Sequence, residues 1–435
     1  MMKGLVVQIV LVAIPLMGGA LGFLVWSKPR RLKAWSLCVA AASLLVLVGL
    51  SGRMTVPAEG MALLYLLPVA AGLSLLGQPS HRDNRPAWLM TLVLLGLGLG
   101  IMVSGDGVGL ILLMLLFSLV GALLYRYRSI SGSVPWWGIG TYGLGMVCAI
   151  VALLAVPPVS SMAFLVSCAI LLPLAPFHGG YVAAFRGLQG NLPAFLALLL
   201  PGLGFHGLFA LIPDLSEPAL RTVAILAVAG MLYGSLKALT QSRVRLVLAY
   251  AGLSFFSILW WYLAATRAVP PQAVVYLGSV GLAISGLLLA WHAIHARYGD
   301  VDRRAISGLV SHMPRFAVLI SLLALAAMGL PPFGLFSGFM GLLLAPSLTF
   351  SGVLLVVLVT WLTASWYILD MVQGLLFGPQ RSDLRYADLR WMEFASLLIC
   401  VLLLIALGFA PSCYFESGTP MPPSRMAMEF LSWNK

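Results

Sequence analysis

Apolar runs of about twenty residues recur along nearly the whole chain, separated by short loops that carry most of its charge. They fall near 5–27, 35–51, 59–77, 87–104, 108–126, 135–156, 160–185, 190–212, 219–239, 244–264, 272–296, 314–346, 350–375 and 392–412. A helix needs about twenty apolar residues to cross the hydrocarbon core, and only helices and closed barrels satisfy their backbone there. The chain is 61% apolar and 9% charged, against about 25% charged residues in soluble domains. The expectation is an all-α membrane protein of about fourteen spans. Lys3 precedes a first run of full spanning length, which reads as a retained anchor and not a cleaved signal.

The formal net charge of +12 does not point to nucleic acid, because the charges sit in short loops between spans. Loops after odd-numbered spans hold seventeen Lys and Arg residues, and loops after even-numbered spans hold only Arg53, Arg221 and Arg267. This bias predicts a bacterial-type inner membrane with both termini on the non-cytoplasmic side. The five cysteines (Cys38, Cys148, Cys168, Cys400, Cys413) show no pairing or metal spacing and read as free thiols. His292 and His295 share a helix face but lack a third ligand, so no metal is expected. No cofactor motif of any kind is present.

Two spans are interrupted. Leu172-Pro-Leu-Ala-Pro-Phe-His178-Gly-Gly breaks the seventh at Pro173 and Pro176, and Gly329-Leu-Pro-Pro-Phe-Gly334 breaks the twelfth at Pro331 and Pro332. Internal proline removes a donor and clashes with the preceding turn. Each break lies in the fourth span of a five-span block, 87–212 and 219–375. Blocks of five have opposite orientation, as in an inverted repeat. A three-span bundle at 1–80 and a final span with tail at 392–435 would flank them.

The ordered motifs resemble the antiporter-like membrane subunits of respiratory complex I and the large subunits of Mrp-type cation/proton antiporters. Leu172-Pro-Leu-Ala-Pro-Phe-His178 is similar to that family's broken-helix motif. Gly234 to Tyr250 is similar to its Gln-Thr-Asp-x-Lys-Arg-x-x-Ala-Tyr segment, and Asp300 to Pro314 to its linker. Gly329-Leu-Pro-Pro-Phe-Gly334 matches its second break. The resemblance implies a chain of buried ionisable residues at the midplane, and locates each position here. Those positions hold Leu112, Leu171, Gly202, Ile284 (with Val280 near it) and Phe339, none of them titratable. The family's Asp after the first break is also missing, since Gly179-Gly-Tyr-Val follows His178.

The remaining candidates for a proton path are His178, His206 and Lys237. His178 and His206 are each read either as a neutral histidine bonded to freed backbone groups or as a relay, since imidazole titrates near neutral pH. Lys237 is read either as snorkelling to the headgroups or as a buried charge at the junction of the two blocks. Asp370 reads as interfacial, and the mixed charges Asp300, Asp302, Arg303 and Arg304 as a solvated loop. The resemblance thus implies a subunit of a complex I-like or Mrp-like assembly, itself without redox chemistry. One reading is a scaffold or coupling subunit with a degenerate proton path. The other is a conducting subunit using His178, His206 and Lys237, driving cation exchange or bicarbonate uptake. The expected partners are other membrane subunits and lipid, with a soluble redox or carbonic-anhydrase-like subunit as a further possibility.

Overall fold

The structure is a computed structural model, and it describes residues 2–53, 58–131, 134–299, 306–344, 352–377 and 387–409. Asp300, Asp302, Arg303, Arg304 and Cys413 lie outside the described residues. Among those described, all regular structure is helical. The helices are α1 (Met2–Gly22), α2 (Pro29–Leu50), α3 (Ala58–Leu76), α4 (Arg85–Val103), α5 (Asp106–Ser131), α6 (Trp136–Leu154), α7 (Val159–Leu171), α8 (Gly179–Gly187) and α9 (Leu192–Leu211). They continue as α10 (Glu217–Thr240), α11 (Val244–Thr266), α12 (Pro271–Tyr298), α13 (Leu309–His312), α14 (Pro314–Ala327), α15 (Gly334–Leu343), α16 (Gly352–Leu376) and α17 (Trp391–Phe409). Eleven are long and apolar enough to cross a membrane, and with α3 and the two half-helix pairs they account for the fourteen expected spans. The short α13 was not anticipated from the sequence.

Proline explains where many of these helices start and where two of them stop. Pro29, Pro86, Pro193, Pro218, Pro271 and Pro314 stand at the first or second helical position, where the missing N–H would have had no partner anyway. Single internal prolines at Pro15, Pro68 and Pro201 leave their helices continuous. The paired prolines do not. Leu172, ahead of Pro173, adopts extended backbone and ends α7, because the residue before a proline is pushed out of the helical region. Gly329, at φ +69°, ends the path of α14 before Pro331 and Pro332. Both expected interruptions are therefore present, between α7 and α8 and between α14 and α15.

The core is a central seam. α12 is buried along its length and α11 nearly so, whereas the outer helices expose leucines such as Leu45, Leu154 and Leu362. α9 and α3 both pack on α12, and α17 packs on α3, α12 and α15. Pairwise packing recurs between the two blocks of five. α4 meets α9 as α10 meets α16, α6 meets α7 and α8 as α12 meets α14 and α15, and α7 meets α9 as α14 meets α16.

Small residues set the closest approaches. Gly230 and Gly234 of α10 lie against Ser257 and Ser254 of α11, and Ser235 Oγ hydrogen-bonds Ser254 Oγ at 2.9 Å. Gly408 of α17 abuts the Pro332 carbonyl in the second break. Gly204 of α9 sits on the end of α7, where a Cβ would lie 2.5 Å from Leu172 N and 2.9 Å from Cys168 O. A Cβ on Gly202 would meet only Leu67, at 3.9 Å. Gly204→Ala is expected to destabilise the protein by about 1–3 kcal/mol through overpacking. Gly202→Ala, with room for the methyl, is expected to be neutral or stabilising. Thermal unfolding of the two variants in detergent, compared with wild type, checks the contrast.

Candidate functional site

The first break brings His178 together with tyrosines from two other helices. His178 precedes α8 as its N-cap residue without a side-chain capping bond. Its ring packs against Tyr233 of α10 at 5.3 Å and Tyr250 of α11 at 6.4 Å between centroids. The two tyrosines stand edge to face at 6.1 Å. His178 Nδ1 is buried without a hydrogen-bond partner. One turn into α8, the fully buried Tyr181 packs at a tilt on Phe185 and edge to face with Phe256 and directs its hydroxyl to Gly252. Trp260 of α11 donates its indole N–H to the Leu172 carbonyl at 3.1 Å, satisfying one backbone group that the break sets free.

His206 belongs to a different wall. It lines a cavity of about 280 Å³ with Ser104, Ser160, Ser161, Cys168 and Leu171, and its Nδ1 is also buried without a partner. Lys237 is exposed in the last turn of α10, beyond Tyr233 on the face that also exposes Leu232 and Leu236. The structure thus brings His178 to the α10–α11 tyrosines, while His206 lines a cavity that His178 and Lys237 do not and Lys237 is exposed. Asp370 is exposed on α16.

The positions expected to carry the family's charges are packed with apolar groups. Leu171, Ile284 and Phe339 are buried, and Gly202 is buried within α9. Phe339 stacks on Trp361 at 3.7 Å. Leu112 is half-buried and lies against Gly100 of α4. What accompanies them is hydroxyl-rich. Tyr142, Tyr181, Ser279, Thr360 and Tyr367 each bury a hydroxyl with no partner, while Tyr276 donates to the Phe255 carbonyl at 3.0 Å. The cysteines Cys38, Cys148, Cys168 and Cys400 are free thiols.

Sequence reasoning missed one charged cluster, at the end of the bundle where the loops after odd-numbered spans meet. Lys33 reads as a loop charge, yet it is only 4% exposed. Its ammonium donates to the carbonyls of Leu76, at 3.0 Å, and Gln78, so it closes the C-terminal end of α3, where a cation is favoured. Nearby, the Arg297 guanidinium binds Glu393 at 2.6 and 3.3 Å and donates to the Ala387 and Asp388 carbonyls. Asp388 in turn accepts from the Arg315 and Phe316 amides, capping α14. Glu393, on the first turn of the last helix, was the available signal, but its partner is 96 residues away. Glu393→Gln leaves Arg297 buried beside a neutral group, and is expected to cost about 3–5 kcal/mol. Loss of folded protein on denaturant titration in detergent checks it, with Arg221→Gln, on an exposed pair, staying within about 0.5 kcal/mol.

A family model described as NADH:quinone oxidoreductase/Mrp antiporter, transmembrane, matches residues 137–365, just over half of the chain. The NADH-quinone oxidoreductase subunit M of Escherichia coli (strain K12) is 25% identical over 265 residues, 59% of this chain and 52% of that protein. The chain spans about half the length of the curated relatives it matches first. A chain of respiratory complex I from Thermus thermophilus with bound NADH superposes with a TM-score of 0.78 at 20% identity, covering 94% of this chain and 97% of that one. A chain of the Mrp complex from Dietzia sp. DQ12-45-1b gives 0.74 at 16% identity, covering 94% and 95%. At these identities the structural likeness is one of fold.

Proposed function

The chain belongs to the NADH:quinone oxidoreductase/Mrp antiporter family of membrane proteins, and from that premise we propose that it serves as a scaffold or coupling subunit of a multi-subunit energy-converting complex, with little proton conduction of its own. The observation that carries this reading is the apolar character of Leu171, Gly202, Ile284 and Phe339, all buried where the family resemblance expects groups that change charge. A relay of protons needs such groups at each station, and an aliphatic side chain can neither accept nor donate. The recurrent packing of the two five-helix blocks supports an inverted repeat, which would keep the family's docking faces while the path between them is lost. The basic loops belong on the cytoplasmic side, with neighbouring membrane subunits as partners.

A second reading is favoured by one observation. His178 and His206 each bury a ring nitrogen without a partner, and a cavity of about 280 Å³ adjoins His206. With water, the two histidines would supply a residual path for cation exchange or bicarbonate uptake, beside a redox or carbonic-anhydrase-like partner.

Proton flux in liposomes holding the purified assembly separates the two. Under the scaffold reading, His178→Ala, His206→Ala and Lys237→Ala leave any flux unchanged with the assembly intact. Loss of flux in the histidine variants, with assembly intact, would overturn the scaffold reading. Leu171→Lys is expected to create no flux and to lower stability by at least ~2.5 kcal/mol, because its ammonium meets no carboxylate at membrane depth.

A further inference from the structure

A large cavity lies away from both helix breaks. It holds about 760 Å³ at the loop end of the central helices, between the ends of α8 and α12 and the starts of α4, α11 and α17. Five arginines and three carboxylates line it, and the two inner carboxylates are already engaged. Glu393 is held by Arg297 and Asp388 caps α14, while Asp83 stands exposed at the rim beside His81. Arg297 spends its donors on Glu393 and backbone carbonyls and Arg245 donates to the Leu188 carbonyl at 3.2 Å, so the positive charge left facing the cavity is that of Arg186, Arg243 and Arg390.

Two further features converge on the same space. α11 begins there, and its N-cap residue Arg243 makes no side-chain cap, so the partial positive charge of a 23-residue helix is directed into the cavity at the very point where Arg243 and Arg245 project. His292, one of the lining residues, buries both ring nitrogens with no hydrogen-bond partner. An imidazole so placed is open to hydrogen-bonding a group that enters the cavity.

Backbone amides at a helix start, guanidinium groups from two elements and a waiting imidazole together match a tetrahedral oxyanion with several acceptor oxygens. We propose that this cavity binds a phosphate group, through Arg186, Arg243, the start of α11 and His292. The phosphate is that of an anionic lipid headgroup or of a free phosphate anion. The site is independent of whether the subunit conducts protons, since none of its residues lies on the candidate path.

The test uses the full chain in phosphatidylcholine nanodiscs, with thermal unfolding followed against added inorganic phosphate, or against phosphatidylglycerol built into the disc, at constant ionic strength held with chloride. The site predicts a saturable rise in the melting temperature with at least one of them. A rise with inorganic phosphate identifies a free-anion site, and a rise with phosphatidylglycerol alone identifies a headgroup site. Arg186→Gln with Arg243→Gln, both exposed side chains, is expected to weaken the half-saturation about tenfold or more while leaving the ligand-free melting temperature in place. His292→Leu should weaken it likewise, and Arg221→Gln at the opposite end should not. No saturable rise with either probe overturns the site, as does a rise that survives the double substitution or is lost equally in Arg221→Gln.

Discussion

Backbone polar groups freed inside a bilayer have no water to turn to, and the fold is arranged around the two places where the chain frees them. A lone proline such as Pro201 costs one hydrogen bond and is absorbed. Pro173 with Pro176, or Gly329 with Pro331 and Pro332, frees several at once. At the first break the Trp260 indole takes the Leu172 carbonyl, and Leu174 N donates back to Ala169 O at 3.1 Å. At the second, Leu330 N donates to Leu325 O at 3.2 Å, and Gly408 lets α17 close directly over Pro332. The breaks hence dictate which residues must be small, which must donate, and which helices occupy the centre. α11 and α12 are buried because they are the walls against which the breaks are sealed.

Much of this was legible in the sequence, for a local reason. Hydropathy of spanning length, proline spacing and loop charge are all read within a few residues, and they place the spans, both interruptions and the end of the bundle where the arginines gather. Pairings set by tertiary structure were not legible. Lys33 looks like one of four loop cations until α3 is seen to end beside it. Glu393 has no visible partner along the chain until Arg297 arrives from another helix. Lys237 shows the converse. Its depth within an apolar run permitted a buried site, but the face of α10 that carries it looks outward, which hydropathy along the chain cannot reveal in so uniformly apolar a helix.

Apart from His178, His206 and the charged loop end, the interior that results is polar without carrying charge. Hydroxyls of Tyr142, Tyr181, Ser254, Tyr276 and Tyr367 occupy the buried region, together with neutral amide and indole donors. Such groups can orient water and bond to carbonyls, but a hydroxyl that neither gains nor loses charge gives no handle for coupling to a distant event. Under the proposed scaffold role, a bundle of this kind retains the shape by which neighbouring subunits recognise it without charges along a path. The charge it keeps lies at its loop end, in the nearly buried Arg297–Glu393 clamp and the basic cavity beside it, where it can meet a partner, a lipid or an anion.

The central claim is that apolar packing at Leu171, Gly202, Ile284 and Phe339 interrupts any water-borne path through the midplane. A density map of the intact assembly, at a resolution that shows ordered water, tests it most directly. The account predicts waters beside His178 and His206 and at the loop-end cavity, with none bridging from Tyr181 past Ile284 to Phe339. A continuous file of ordered waters linking His178 to the second break would contradict it.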